Sequence, residues 1–193
     1  MSADSVAALL AEHADLVRRV ALEMGDQIDE LSGITLETLR GGGKLLFCGN
    51  GGSAADAQHL AAEYVIRFKS NRQALPALAL TADTSVLTAG AADLGFDRVY
   101  ERQVQALARP GDLLLIHSTS GEADGLIRAA AAARSAGVRS AALLAKGGGP
   151  LRERVDLALV VPTDSTARAQ EMHLLIGHIV CEQVDRWYSE RPE

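Results

Sequence analysis

Five short apolar runs, separated by longer segments of helical character, constrain this chain more than any other feature. They are Leu45-Leu46-Phe47-Cys48, Ala77-Leu78-Ala79-Leu80, Leu113-Leu114-Leu115-Ile116, Ser140-Ala141-Ala142-Leu143-Leu144 and Leu157-Ala158-Leu159-Val160-Val161. Each run is unbroken instead of alternating apolar with polar, which is how a strand reads when both of its faces are covered. Strands joined through helices run parallel. The expected architecture is therefore α/β, a five-stranded parallel sheet flanked by helices on both faces.

Before the first run lies an amphipathic start. Val6, Leu9, Leu10, Val17, Val20, Ala21 and Met24 fall on one face at helical spacing, so the first 30 or so residues read as one helix, with Asp4 or Ser5 as its N-cap. His13 sits in the same stripe and reads as a packing or interface residue. A second, shorter helical piece covers the thirties and stops at Gly41-Gly42-Gly43. This extension is not needed to complete the alternating pattern, and bundling against another subunit is its expected use. The whole is one domain, 1–193, with N-terminal helices over 1–40 and an α/β core over 41–193. The last helix is expected over roughly 166 to 189.

Composition narrows the function. A net charge of −6 argues against nonspecific nucleic-acid binding, which needs a cationic surface. No apolar run approaches the roughly 20 residues needed to span a bilayer, and Met1-Ser2-Ala3-Asp4-Ser5 has neither the basic stretch nor the apolar block of a signal peptide. The two cysteines, Cys48 and Cys181, lie in apolar surroundings without metal-type spacing and read as core thiols in a reducing cytosol. Neither nucleic acid nor membrane is an expected partner, and a cytoplasmic location is expected.

Two strand-to-helix turns echo one another. Gly49-Asn50-Gly51-Gly52-Ser53 follows the first run, and Ser118-Thr119-Ser120-Gly121 follows the third. Sites in open parallel sheets form outside the carboxyl ends of strands, so the two turns point at one crevice. Hydroxyls and free N–H groups at a helix N-terminus suit a phosphate, although serine and threonine there can also be simple caps. The glycine turn allows close ligand approach, but it matches neither the phosphate-loop signature nor the dinucleotide fingerprint.

In the helix after the glycine turn, His59, Glu63 and Arg67 recur every fourth residue and share one face. They could hold a metal ion, act as an acid/base pair beside an anion-binding arginine, or form a solvated face. Gln170 and His178 in the last helix are eight apart, about 80° around the axis, and can flank one pocket. His178 alone could equally be a core histidine, and His117, at the end of the third run, is open in the same way. His173 points elsewhere and reads as an interface or surface residue.

Taken together, Cys48-Gly49-Asn50-Gly51-Gly52-Ser53-Ala54-Ala55-Asp56-Ala57-Gln58-His59, Leu94-Gly95-Phe96, Ser118-Thr119-Ser120-Gly121 and Gln170-Glu171-Met172-His173 with His178 resemble the SIS (sugar isomerase) domain family. Within it they are most similar to the bacterial phosphoheptose isomerases, over about residues 40 to 186. The resemblance implies a flavodoxin-like SIS fold, an N-terminal bundling helix and a homotetramer with active sites between subunits. It implies an aldose–ketose isomerase that converts D-sedoheptulose 7-phosphate to D-glycero-D-manno-heptose 7-phosphate, a step of lipopolysaccharide heptose biosynthesis. It further implies Zn2+ held by the residues matching His59, Glu63, Gln170 and His178, with Glu63 as base and His178 as partner acid/base. Ser118, Thr119 and Ser120 match the phosphate grip, and Asn50, Gly51, Gly52, Ser53, Arg67, Asp93 and Gln170 match substrate contacts.

The sequence departs from the family in places. Ala123 stands where a phosphate-binding serine is usual, Glu122 where a non-acidic residue is typical, Ala92 where asparagine is common and Ala169 where isoleucine is. Glu122 would compete with a phosphate for the same helix N-terminus, so a related sugar phosphate is an alternative substrate. The rival class is a non-catalytic SIS protein that binds the bacterial replication initiator. There the catalytic carboxylate and the last histidine are replaced, whereas Glu63 and His178 are both present here. A sugar-phosphate-sensing regulator would bring a DNA-binding segment, and none accompanies this domain.

Overall fold

The computed structural model of the chain describes residues 5–190. Its five strands are β1 Leu45–Gly49, β2 Ala77–Ala79, β3 Leu113–His117, β4 Arg139–Leu144 and β5 Leu157–Val160. They form one sheet in the order β2-β1-β3-β4-β5, parallel throughout. All five expected runs are strands, shifted by at most a residue or two at the ends. Central β1 and β3 are buried at every position, which is why their sequences do not alternate.

Period-two geometry divides each central strand between two cores. Leu45, Phe47, Leu113, Leu115, Ala141 and Leu143 face one side, with helices α1 (Val6–Glu23), α2 (Gly25–Arg40), α3 (Gly52–Val65) and α7 (Thr166–Ser189). Leu46, Cys48, Leu114, Ile116, Ala142 and Leu144 face the other, with α5 (Val99–Leu107) and α6 (Asp124–Ser135). Helix α4, Thr84–Leu94, buries none of its residues.

The strand order places a topological switch between β1 and β3. From β1 the chain moves outward to β2 on one side, then returns to add β3 on the other. Helix α3, leaving β1, goes to one face, and α6, leaving β3, goes to the other. The two turns diverge there, at the carboxyl edge where sites of open parallel sheets form.

The N-terminal region differs from the sequence reading in two ways. The first helix stops at Met24, whose φ of −125° and ψ of 3° are not helical, and a second helix runs from Gly25 to Arg40. Glycine at the junction is a poor helix former, and the break lets the chain turn. Helix α2 also completes the core. Ile28, Leu31, Ile34 and Leu39 are buried in the same cluster as the sheet and α7. The apolar stripe of α1 is covered only at its end: Leu16 and Val20 are buried, while Val6, Leu9 and Leu10 are 74%, 43% and 64% exposed. Of the two N-cap candidates, Ser5 accepts from Ala8 N at 3.2 Å, and Asp4 lies outside the described residues. His13 pairs with Glu171 of α7 at 2.7 Å, tying α1 down. No described helix is long and apolar enough to cross a membrane.

Candidate functional site

Helices α3 and α7 both start at the carboxyl edge of the sheet and pack along each other. Two glycines let them approach. A Cβ on Gly177 would lie 2.6 Å from Leu60 Cδ1, and one on Gly52 would lie 2.5 Å from Gln170 Nε2. Gln170 therefore rests on the first turn of α3, and seven residues on, at nearly the same angle around that helix, His59 meets His178.

The two imidazoles approach Nε2 to Nε2 at 2.9 Å, and His59 Nε2 is 3.3 Å from Glu63 Oε1. Ligand atoms of His59, Glu63 and His178 all lie within 4.8 Å of one another. His59 is 46% exposed and Glu63 23%, so the cluster opens to solvent. Two ring nitrogens at 2.9 Å need a shared proton or a cation between them. Two ligands about 2.0–2.1 Å from a tetrahedral zinc stand roughly 3.3 Å apart, a few tenths of an ångström from what is seen. Imidazole, imidazole and carboxylate are also the donor types zinc favours. The residues fit the ion.

The surroundings of His178 favour its neutral form. Burial, then the neighbouring His59, hold the His178 imidazole below its ordinary pKa, with Glu63 pulling the other way. Phe68, from the loop after α3, lies against His178 with centroids 5.4 Å apart. Asp56, one turn before His59, has a carboxyl raised by burial and pulled back by His59, and its Oδ2 is buried without a partner.

The glycine turn combines a left-handed backbone with an unpartnered acceptor. Gly51 has φ +58°, where a side chain would be strained, and Asn50 Oδ1 is buried with no partner. Ser53 is buried behind it. In the second turn, Ser118 Oγ accepts from Gly121 N at 3.0 Å and Ser120 Oγ from Glu122 N at 3.3 Å. The hydroxyls thus shape the turn while keeping their protons to donate outward. Ala123 is the N-cap of α6 and offers no side-chain acceptor, which leaves the first N–H groups of that helix for an anion. Glu122 is exposed beside it.

The remaining expected residues are more dispersed. Arg67 lies just past the C-cap of α3 and Asp93 in the last turn of α4, and both are exposed. His117 resolves as a core residue, 1% exposed and packed near Phe47 and His173. His173 is not at the surface, as its sequence position suggested. It is fully buried, with Nε2 3.1 Å from Leu144 O. Sequence reasoning missed Asp56, whose spacing on the face of His59 was a usable signal, and Phe68, whose loop position carried none.

Comparison with known proteins places this site in context. The SIS domain model matches residues 9–145. The phosphoheptose isomerase of Akkermansia muciniphila is 50% identical over 173 residues, covering 90% of this chain and 91% of that protein. The chain belongs to the SIS domain family, in its phosphoheptose isomerase branch. Solved structures agree with that membership. The phosphoheptose isomerase of Neisseria gonorrhoeae superimposes with a TM-score of 0.88 at 40% identity, covering 94% of this chain and 97% of that one. The Francisella tularensis phosphoheptose isomerase gives 0.92 at 32% identity, covering 96% and 99%. Membership of that branch makes this SIS-domain chain an isomerase.

Proposed function

We propose that the site interconverts D-sedoheptulose 7-phosphate and D-glycero-D-manno-heptose 7-phosphate through an enediolate. The observation that carries this reading is the convergence of His59, Glu63 and His178 at the helix that leaves the glycine turn, in a chain of this family. Ser118, Thr119, Ser120 and the N–H groups opening α6 take the phosphate. Asn50, Gly51, Gly52, Ser53, Gln170, Arg67 and Asp93 hold the sugar. Glu63 removes a proton from C1 of the ketose, and His178 delivers one to the C2 oxygen. The proton is then returned at C2 while O1 gives one up, so a C1–H bond is exchanged for a C2–H bond with no net redox change. A zinc ion held by His59, Glu63, His178 and Gln170 would supply Lewis-acid polarisation of the carbonyl oxygen. Glu63 has two oxygens, one for the cation and one for the carbon.

A homotetramer, with its sites at subunit contacts, is supported by the uncovered apolar residues Val6, Leu9 and Leu10 of α1. A cytoplasmic location and a place in lipopolysaccharide heptose synthesis belong to the same reading. The test is incubation with a panel of ketose phosphates, with and without chelator, followed by aldose detection. Glu63→Gln should retain sugar-phosphate binding and lose turnover by at least 100-fold, within the range for general base removal. Near-normal turnover in that variant refutes the assignment of the base.

A further inference from the structure

Helix α3 ends at Val65, nearly two turns after His59, and its last carbonyls have no intrahelical partner. One buried guanidinium takes them. Arg72 Nη2 donates to Glu63 O at 2.7 Å and Nη1 to Tyr64 O at 2.7 Å and to Gln73 O at 2.8 Å. Its Nε pairs with Asp185 Oδ1 at 3.2 Å, and both side chains are 3% exposed. Asp185 lies on α7 seven residues after His178, so the two side chains project at nearly the same angle around the helix. Its other oxygen accepts from Ser70 N at 2.8 Å, which pins the loop carrying Phe68 against His178.

We infer that the Arg72–Asp185 pair is a positioning device for the reaction. It fixes the main chain of Glu63, the ring of Phe68 and the helix face of His178 relative to one another, and it touches no reacting atom. Beside the packing of Gln170 on Gly52 and of Leu60 on Gly177, the His59–His178 contact at the site and this pair near the C-terminal end of α3 join α3 to α7. The inference rests on the isomerase reading where activity is concerned, and on geometry alone where His178 is concerned. A buried ion pair is not retained for stability by default, since apolar residues of similar volume often replace such a pair without loss. What apolar residues cannot do is hold three carbonyls and a carboxylate in one planar fork.

The experiment compares Asp185→Asn, Arg72→Met, Arg72→Lys and the double variant Arg72→Met/Asp185→Leu with the wild-type chain. Each is checked for folding by circular dichroism at the assay temperature. Histidine ring protons are followed by NMR; with five histidines, the His178 signals are assigned by their loss in His178→Gln. In Asp185→Asn and in the double variant, kcat should fall 10- to 100-fold with KM within about twofold, the range seen when residues orienting a ligand are altered. The His178 ring signals should move as Phe68 shifts. The double variant should recover most of the thermal stability lost in Arg72→Met alone, without recovering kcat. Arg72→Lys should not rescue, because one ammonium cannot span the carbonyls. A folded double variant with wild-type kcat and unmoved His178 signals overturns the inference. If the wild-type chain turns over no ketose phosphate, the proposed function fails, and the His178 signals in Asp185→Asn still decide the positioning role.

Discussion

Replacing His117 by Leu should remove about half of an unusual sensitivity to mild acid. His117 and His173 are both buried, each with an Nδ1 that has no partner. Burial, with His173 nearby, pushes the His117 pKa down to about 3, and burial pushes that of His173 to about 4 against the hydrogen bond with Leu144. Both are depressed below the ordinary histidine value of about 6.5, so the unfolded chain binds more protons and stability falls as pH drops below 6.5. The loss continues until pH reaches the folded-state values. At pH 5 each histidine accounts for about 1.36 × 1.5, or roughly 2 kcal/mol, and the two together for about 4 kcal/mol. Urea unfolding at pH 7 and pH 5 measures this directly, and the exposed histidines and carboxylates cancel between wild type and variant. At pH 7 the variant should lie within about 1.5 kcal/mol of wild type, because removing an unpaired buried nitrogen offsets an imperfect fit. Between pH 7 and 5 it should lose about 2 kcal/mol less than wild type. Equal losses in the two proteins would refute the claim that His117 is buried and neutral.

Three further outcomes follow from the same structure. Gly177→Ala puts a Cβ 2.6 Å from Leu60, so it should destabilise the chain by about 1–3 kcal/mol in urea and lower turnover by spreading α3 from α7. Cys48 and Cys181 are buried thiols pushed up to about 12, and a disulfide-exchange reagent should modify neither in the folded protein at pH 7 while modifying both in urea. Adding Zn2+ at about 100 times its dissociation constant to chelator-treated protein should stabilise it by about 2.7 kcal/mol, read as a rise in Tm, and His59→Ala should abolish the rise.

The parts of this molecule that were legible in its sequence are those whose signal lies within one element. Strands buried on both faces wrote unbroken apolar runs, and α7 wrote a long amphipathic pattern that the structure places at Thr166–Ser189. His59 and Glu63 were legible for the same reason, four residues apart on one helix. Where the reading failed, a local signal was overridden or went unused. The stripe through Val20 and Met24 hid the break at Met24, because both residues are buried on either reading. His173 lies among Ala169, Met172 and Ile176, all buried, so the helical period already placed it inside. Pointing away from Gln170 and His178 turned it into the core and not to the surface, and one carbonyl, Leu144 O, is the partner that makes the burial tolerable.

The remaining features have no local signature. Gln170 on Gly52, Leu60 against Gly177, Phe68 on His178 and Arg72 with Asp185 all join α3 or its trailing loop to α7, across more than 100 residues of chain. Such contacts depend on the angle and separation of two helices, which the sheet sets by sending both to one face. A site residue can therefore be nominated from its own helix, but its chemistry is fixed by what the other helix brings. His59 is a half-exposed histidine on a helix surface until His178 arrives 2.9 Å away. The same dependence makes the α3–α7 spacing the quantity to which this site should be most sensitive, and a lesion at Gly177 or Asp185, neither of which touches the reacting atoms in the proposed mechanism, should register in turnover before it registers in substrate binding.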